Sequence, residues 1–177
     1  MNANDFESNL GIWNLGGKDA SLNNNASYVG SGTTSIQLRD NSNSSNFYTD
    51  VLDLSSHEEL TVNFHYITKS MDNSSEDFFL EISTNGGSSY SVVEEWNYND
   101  EFVNDQHYNE QVVITGPFTS NVRLRFRCDA SANNDWVFID DVVIQGCFNS
   151  SARLSNPELD ENLGNKSEAL KNYKKAI

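Results

Sequence analysis

Three arginines alternate with apolar residues in one short segment, and they carry the clearest chemistry in this sequence. Between residues 121 and 129, Arg123, Arg125 and Arg127 occupy every second position. Successive side chains point to opposite faces of a β-strand, so a strand here places all three guanidinium groups on one face. Guanidinium groups offer forked hydrogen-bond donors to sugar hydroxyls, carboxylates or sulfates.

Two interpretations of this arginine row remain open. Like charges along one strand face repel unless other groups answer them, and Glu81 and Asp77 have the phase to pair with the row across strands. Alternatively, the row forms a polar face that binds a polyhydroxylated or anionic ligand. The two interpretations are compatible, because arginines held by ion pairs are also preorganised for a ligand.

Aromatic residues could supply stacking surfaces beside the arginines. Trp96 and Tyr98 lie in the polar segment 94–100, which predicts an exposed loop. An exposed indole or phenol ring can stack on the apolar face of a sugar ring. The alternative is that each ring caps the edge of the core. For a bound ligand we expect contacts from the following residues: Arg125, Arg127, His65, Glu81, Trp96 and Tyr98.

Acidic residues towards both ends of the body suggest a site for a hard cation. Glu7 lies in the run 5–8, interpreted as the opening of the first strand, and Asp140 and Asp141 interrupt the apolar last strand. A carboxylate within an apolar strand is costly unless it is paired or bound to a cation. Since Ca²⁺ prefers carboxylate and carbonyl oxygens, pairing of the two end strands would let calcium join them. The alternative is that these are exposed acids at strand ends.

Residue patterns for catalysis are missing from the sequence. The three histidines are dispersed, and there is no Cys-x-x-Cys or His-x-x-x-His pair for zinc and no glycine-rich phosphate loop. With 26 Asp and Glu residues, the presence of two nearby carboxylates carries no information about glycoside hydrolysis. We therefore expect a chain that is not an enzyme.

Charge excludes two further classes of partner. The chain has 177 residues, 11 Lys and Arg against 26 Asp and Glu, and a net charge of −15. Nucleic-acid binding requires a basic footprint, and anionic membranes attract basic segments, so neither partner is expected. The acidic, Asn- and Ser-rich composition suggests a secreted domain, although no signal-peptide core precedes it.

Period-2 patterning predicts the fold. Apolar and polar residues alternate in eight runs separated by turn residues, namely 35–40, 47–54, 60–67, 78–83, 89–96, 111–115, 121–128 and 136–145. Asn85-Gly86-Gly87 between two runs predicts a tight hairpin turn. These features predict an all-β, antiparallel two-sheet sandwich (jelly roll) over residues 1–148. Residues 149–177 are interpreted as a linker or partly helical tail, and a Cys128–Cys147 disulfide is left open.

Several segments resemble a known family. The run from Asp5 to Trp13 is similar to the "FE-x-G-x-x-x-W" start of jelly-roll carbohydrate-binding modules, and segments 35–40, 76–81, 125–129 and 139–142 look like those of MAM-like jelly-roll domains. Such domains are appended to large secreted enzymes of marine and soil Bacteroidetes. The resemblance implies one structural calcium ion, held by Glu7, by Asp140 or Asp141, and by backbone oxygens around 31–34.

Together these features favour a non-catalytic carbohydrate-binding module of a secreted enzyme. It would bind a polysaccharide, with an anionic marine polysaccharide as one ligand suited to the arginines, and would hold a covalently attached catalytic domain near that substrate. The alternative is a protein-interaction or spacer domain of a secreted multidomain protein, with the same fold and no glycan site.

Overall fold

Eleven strands form the fold. The computed structural model describes residues 2–148, and its strands are β1 (Asn2–Asn4), β2 (Trp13–Leu15), β3 (Ala20–Asn23), β4 (Ser35–Arg39), β5 (Asn46–Thr49), β6 (His57–Lys69), β7 (Asp77–Ser83), β8 (Ser91–Asn97), β9 (Tyr108–Thr115), β10 (Arg123–Asp129) and β11 (Trp136–Phe148). One 3₁₀ turn, Ala26–Tyr28, follows β3. In this described part of the chain, no helix is long and apolar enough to cross a membrane.

The strands build two antiparallel sheets. The first has the order β3-β4-β11-β6-β9, with β1 pairing beside β11, and the second has the order β2-β5-β10-β7-β8. Strands distant in sequence lie side by side in both sheets, as β4 and β11 do. The predicted antiparallel two-sheet sandwich is confirmed. The predicted tail, 149–177, lies outside the described residues.

Strict alternation along β10 joins the core to one outer surface. Leu124, Phe126 and Cys128 are fully buried between the sheets, whereas the arginines between them are only partly buried. Apolar side chains leave water on one face of the strand, so the charged ones must lie on the other. Phe126 contacts three aromatic rings in the core, at centroid distances of 4.8 Å to Phe64, 5.2 Å to Phe47 and 6.0 Å to Trp13.

The centre of the first sheet contains an irregularity. Strands β6 and β11 pair along most of their length, but the register shifts between Asp140 and Val143. Asp141 has a positive φ of 51° at this bulge, a conformation that few non-glycine residues adopt. Bulges redirect side chains locally, and here Asp140 and Asp141 both come to face the segment Gly30–Thr34.

The fold decides three expectations from the sequence, which concern the run 5–8, the glycine turn and the two cysteines. The run 5–8 is not a strand, because β1 ends at Asn4 and the following residues form bends, with Phe6 at a positive φ of 57°. The Asn85-Gly86-Gly87 turn is confirmed, since it links β7 to β8 and both glycines have positive φ. Cys128 and Cys147 are free thiols, the first buried and the second exposed.

The β8 edge strand carries exposed carboxylates, and the β9 edge strand carries an exposed valine. Strand β8 forms one edge of the second sheet, and its Glu94 and Glu95 are exposed. Strand β9 forms one edge of the first sheet, and Val113 on it is 51% exposed. Charged residues on an edge hinder the addition of a further strand.

Replacing Phe126 by alanine should destabilise the sandwich strongly. The substitution removes a ring that is fully buried, and such truncations cost about 3–5 kcal/mol, because a cavity remains. Urea unfolding followed by tryptophan fluorescence measures the change. Val113→Ala, on the exposed edge, should alter the free energy of unfolding by less than about 0.5 kcal/mol. Equal effects of the two substitutions would contradict this assignment of the core.

Candidate functional site

A polar groove lies on the outer face of the second sheet, above β10. Two adjoining cavities form it, with volumes of about 560 Å³ and about 320 Å³. Both are lined by Asn43, Asn46 and Arg125, so they are parts of one depression. We call this depression the arginine groove. The first cavity adds Arg127 and the loop residues 41–42, and the second adds Arg123, two tyrosines and the turn glycines.

Glu81 is the centre of an ion-pair network on the floor of the groove. Its Oε2 accepts a hydrogen bond from Arg125 Nε at 2.6 Å, and its Oε1 accepts one from Arg127 Nε at 3.3 Å. Strand pairing sets this arrangement, because Arg125 and Glu81 are direct cross-strand partners. The Glu81 side chain is only 7% exposed, so both pairs are partly shielded from water. The predicted cross-strand pairing is present for Glu81 and fixes two guanidinium groups in the groove. It is wrong for Asp77, which lies opposite Asp129 and makes no ion pair with the arginines.

Each arginine of the row also stacks on an aromatic ring. The guanidinium carbon lies 3.7 Å from the Tyr90 ring centroid for Arg125 and 4.2 Å from that of Phe79 for Arg127. Arg123 lies 5.1 Å from the centroid of Tyr48. Cation–π contacts hold flat guanidinium groups against ring faces. Among the terminal nitrogens, Nη1 of Arg127 donates to Asp129 at 3.3 Å, whereas those of Arg123 and Arg125 have no acceptor within residues 2–148.

One wall of the groove is a loop fastened from below. Asp19 is buried and accepts hydrogen bonds from the hydroxyls of Ser42 at 2.6 Å and Ser44 at 2.7 Å. The Asn46 amide donates to the carbonyl of Asn43 at 2.9 Å. These bonds hold the loop that presents Asn43, and they lower the pKa of Asp19, chiefly through Ser42.

The opposite wall is the β7–β8 turn. Ser83 Oγ accepts the amide hydrogen of Gly87 at 2.8 Å, and the Asn85 side chain accepts that of Ser89 at 3.0 Å. Gly87 has a φ of 96°, and a Cβ there would lie 3.2 Å from Arg123 Cδ and from the Tyr90 hydroxyl. Glycine is therefore required both for the turn and for its close approach to the groove.

Charge is distributed unevenly along the groove. At the Arg127 end, Asp129 accepts a hydrogen bond from Arg127 at 3.3 Å, and Asp77 is its cross-strand partner. Burial, followed by the charges of Glu95 and Asp129, raises the pKa of Asp77 to about 6. At the other end, the direct cross-strand partner of Arg123 is the uncharged Ser83.

The structure brings together only half of the expected ligand residues. Arg125, Arg127 and Glu81 meet in the groove. The prediction of an exposed ring is wrong for Trp96, which is 4% exposed and stacks on Phe78 at 4.7 Å. Its neighbours are polar, but β8 continues to Asn97 and its pairing with β7 turns the indole inward. Tyr98 is half-buried and packs against the core.

His65 lies on the other sheet, away from the groove. It is 6% exposed on β6, and its Nε2 lies 3.0 Å from Nδ1 of His107. Burial, and then the charge of His107, lowers the pKa of His65. His65 is therefore not part of the groove, because period-2 patterning cannot say to which sheet a strand belongs.

The carboxylates predicted to bind calcium hold one loop, 30–34. Glu7 Oε1 accepts the amide hydrogens of Thr33 at 2.8 Å and Thr34 at 2.7 Å, and these bonds, chiefly that of Thr33, lower the pKa of Glu7. Asp140 Oδ2 accepts those of Gly30 at 2.9 Å and Ser31 at 3.3 Å. The loop that the family resemblance implies is therefore the one these carboxylates contact.

The side chains at this loop offer the oxygen atoms that calcium prefers, but the arrangement of these oxygens fits the ion less well. Ser31 Oγ donates to Asp141 at 2.8 Å, so hydroxyl and carboxylate oxygens gather at the loop. However, their oxygens already accept N–H and O–H groups, and within residues 2–148 no three acidic, His or Cys side chains converge as metal ligands. Burial raises the pKa of Asp140 to about 6, which indicates that its negative charge is incompletely compensated. Calcium at this loop stays a prediction.

Sequence reasoning missed the groove aromatics and amides. Tyr48, Tyr90, Asn43 and Asn46 line the groove, and the two tyrosines are half-buried there. Tyr48 is in phase with Asn46 on β5, which was a usable signal. Tyr90 follows the glycine turn, and only folding of the turn over the sheet reveals its position.

Solved structures share this fold. A scan of family models and a search of curated proteins found no match. The carbohydrate-binding module 22-1 and GH10 modules of Clostridium thermocellum endo-1,4-β-D-xylanase 10B, complexed with xylohexaose, are similar at TM-score 0.59 and 20% identity, over 81% of this chain. This chain spans only 28% of that xylanase chain.

Two further structures of similar fold are a xylan-binding domain and an adhesin domain. The CBM22-1 xylan-binding domain from Paenibacillus barcinonensis Xyn10C has a TM-score of 0.57 and 12% identity, covering 84% of this chain and 94% of that one. The K2 cleaved adhesin domain of Lys-gingipain has a TM-score of 0.56 and 14% identity, covering 82% and 98%. These TM-scores show a shared jelly-roll fold, which carbohydrate-binding modules and an adhesin domain both have.

Neutralising Asp77 should stabilise the protein more at pH 7 than at pH 4. The folded-state pKa of about 6 lies above the ordinary value for aspartate, so its stabilising contribution is complete below the unfolded pKa and is lost as pH rises through 6. After solvent screening, we expect Asp77→Asn to add up to about 1 kcal/mol at pH 7 and little at pH 4. Urea titrations at both pH values measure this. The exposed Asp100→Asn is the control, and an effect of Asp77→Asn that does not vary with pH would refute the expectation.

Removing calcium should lower the melting temperature if the ion binds at the 30–34 loop. We expect a chelator to lower the midpoint by about 4 °C, a shift typical of losing 1–2 kcal/mol in a domain of this size. Calorimetry with added calcium and with EDTA provides the measurement. Glu7→Gln should abolish most of the difference. An unchanged wild-type midpoint would show that amide hydrogen bonds alone hold the loop.

Proposed function

We propose that this chain is a non-catalytic carbohydrate-binding module and that the arginine groove holds a polysaccharide chain. The observation that carries this proposal is the Arg125–Glu81–Arg127 network, which holds two guanidinium groups in place beside two half-buried tyrosines. Polysaccharides offer hydroxyls that both donate and accept, and ring faces that stack on aromatic groups. The groove supplies partners for both.

The groove side chains are held in place without a ligand, which supports a role in ligand binding. Ion pairs, ring stacking and the fastened loop restrict the groove side chains before any ligand arrives. Less side-chain entropy is then lost on binding, so hydrogen bonds to sugars yield more net affinity. The solved structures of similar fold include modules described as xylan-binding, which supports a glycan as the ligand.

The centre of the groove suits uncharged sugar units. Glu81 shares its charge between Arg125 and Arg127, and Asp129 also pairs with Arg127, so little net positive charge remains there. The overall charge of −15 further disfavours a uniformly anionic polymer at long range. We therefore propose a largely neutral polysaccharide in place of a strongly anionic marine one.

The same proposal includes the setting of the module. We propose a MAM-like module attached to a secreted polysaccharide-degrading enzyme, which it would keep at high local concentration on its substrate. The resemblance of segments 5–13 and 139–142 supports this, as does a similar module in a xylanase chain beside a GH10 module.

A protein-interaction role is the second candidate. The similarity to the cleaved adhesin domain of Lys-gingipain favours it. The internal pairing of Arg125 and Arg127 also fits a face with no glycan partner. This candidate predicts that the protein binds no polysaccharide.

Affinity electrophoresis and calorimetry against a polysaccharide panel distinguish the two candidates. The panel contains xylan, β-1,4-galactan, mixed-linkage glucan, mannan and alginate, with calcium present. We expect wild-type protein to bind at least one neutral member. Arg125→Gln should weaken that binding about tenfold or more, since a charged hydrogen-bond donor is lost from the groove.

A matched substitution controls for the loss of a cation stacked on a ring. Lys69 is on β6 of the first sheet, and its ammonium group lies over the Tyr28 ring at 5.3 Å, away from the groove, so Lys69→Gln should leave glycan affinity unchanged. Thermal melts establish that each variant is folded. Absence of binding to every panel member, or equal losses in both variants, would overturn the proposed function.

A further inference from the structure

Arg123 differs from the other two arginines of the row because it has no carboxylate partner among the described residues. Arg125 and Arg127 share Glu81, whereas no carboxylate within the described residues lies within ion-pair distance of Arg123. Its cross-strand partner, Ser83, is committed to the β7–β8 turn, where Ser83 Oγ donates to Asn85 at 2.8 Å and accepts from Gly87. The guanidinium charge at this end of the groove is uncompensated.

The Arg123 side chain is also incompletely hydrogen-bonded. Its Nε is fully shielded from solvent, and no acceptor among residues 2–148 lies within hydrogen-bond distance. A buried donor without a partner costs about 1–3 kcal/mol, so such a group calls for an explanation. Arg123, Tyr48 and Tyr90 together line the neighbouring cavity of about 320 Å³.

Packing holds this charge in a fixed position. The guanidinium group lies over Tyr48 at 5.1 Å, and the turn passes so close to the side chain that a Cβ at Gly87 would lie 3.2 Å from Arg123 Cδ. A flat, immobile guanidinium suits forked binding of a planar carboxylate better than a mobile lysine would. Asn43 and Asn46 face the same cavity and can bond the hydroxyls of a sugar ring.

We propose that the Arg123 end of the groove is a subsite for a sugar residue that carries a carboxylate, a uronate. This proposal rests on the proposed glycan-binding function and adds a direction in which the sugar chain binds. The Arg127 end, with Asp77, Asp129 and the nearby Glu95, repels such a residue. A mainly neutral chain bearing an acidic sugar therefore binds in one direction, with the acid beside Arg123.

Calorimetry with two matched oligosaccharides tests the subsite. The probes are xylohexaose and a xylo-oligosaccharide of similar length that carries one glucuronate. Wild-type protein should bind the acidic probe about tenfold more tightly. Arg123→Gln should remove that preference, so that the variant binds the two probes with equal affinity. Arg123→Lys keeps the charge without the fork and should lose most of the preference.

A charge-matched control lies on an exposed position. Lys18→Gln changes net charge equally and should retain the full preference for the acidic probe. A preference that falls equally in Lys18→Gln and Arg123→Gln would reflect overall charge and would overturn the subsite. Equal wild-type affinity for the two probes would also overturn it, while leaving the proposed glycan function intact.

A second measurement avoids any dependence on the polysaccharide backbone. In ¹⁵N NMR spectra of the arginine Nε–H groups, the Arg123 signal is assigned by its loss in Arg123→Lys. Sodium glucuronate should shift this signal saturably, and glucose or sodium chloride at equal ionic strength should not. Absence of a specific shift would refute the subsite. A shift without affinity for any oligosaccharide would support the subsite and refute the proposed chain-binding function.

Discussion

The sharing of one carboxylate by two arginines is the interaction on which the groove depends. Without Glu81, Arg125 and Arg127 would place like charges side by side on one strand face, and repulsion would scatter them into solvent. With it, a charged surface becomes an ordered array of donors and acceptors. The sandwich makes this necessary, since burial of Phe126 and its neighbours forces the alternate residues of β10 outward.

The surroundings reinforce that array at three levels. Rings of Tyr90 and Phe79 support the guanidinium groups, the Asp19-anchored loop forms one wall, and the glycine turn forms the other. None of these elements is adjacent in sequence to the arginines. The groove is therefore a property of the tertiary fold, and the most informative sequence motif contributes only its floor.

Local periodicity made the fold and the arginine row predictable, and long-range placement made the rest unpredictable. The alternation of β10 identified both the core residues and the outward arginines, and phase alone suggested Glu81 as their partner. Trp96 misled because its polar neighbours suggested a loop, whereas β8 continues through it. His65 was in the right phase on the wrong sheet. The strands β1, β2 and β3 have only three or four residues each, too few for a period to be visible.

The carboxylates at one edge of the second sheet affect whether two copies of the protein can associate. Glu94 and Glu95 stand on an edge strand of a molecule that carries a net charge of −15. Antiparallel pairing of two copies through β8 would bring these charges together at strand spacing, which is strongly unfavourable. Copies held close together on one polysaccharide, as proposed here, would therefore not pair through this edge.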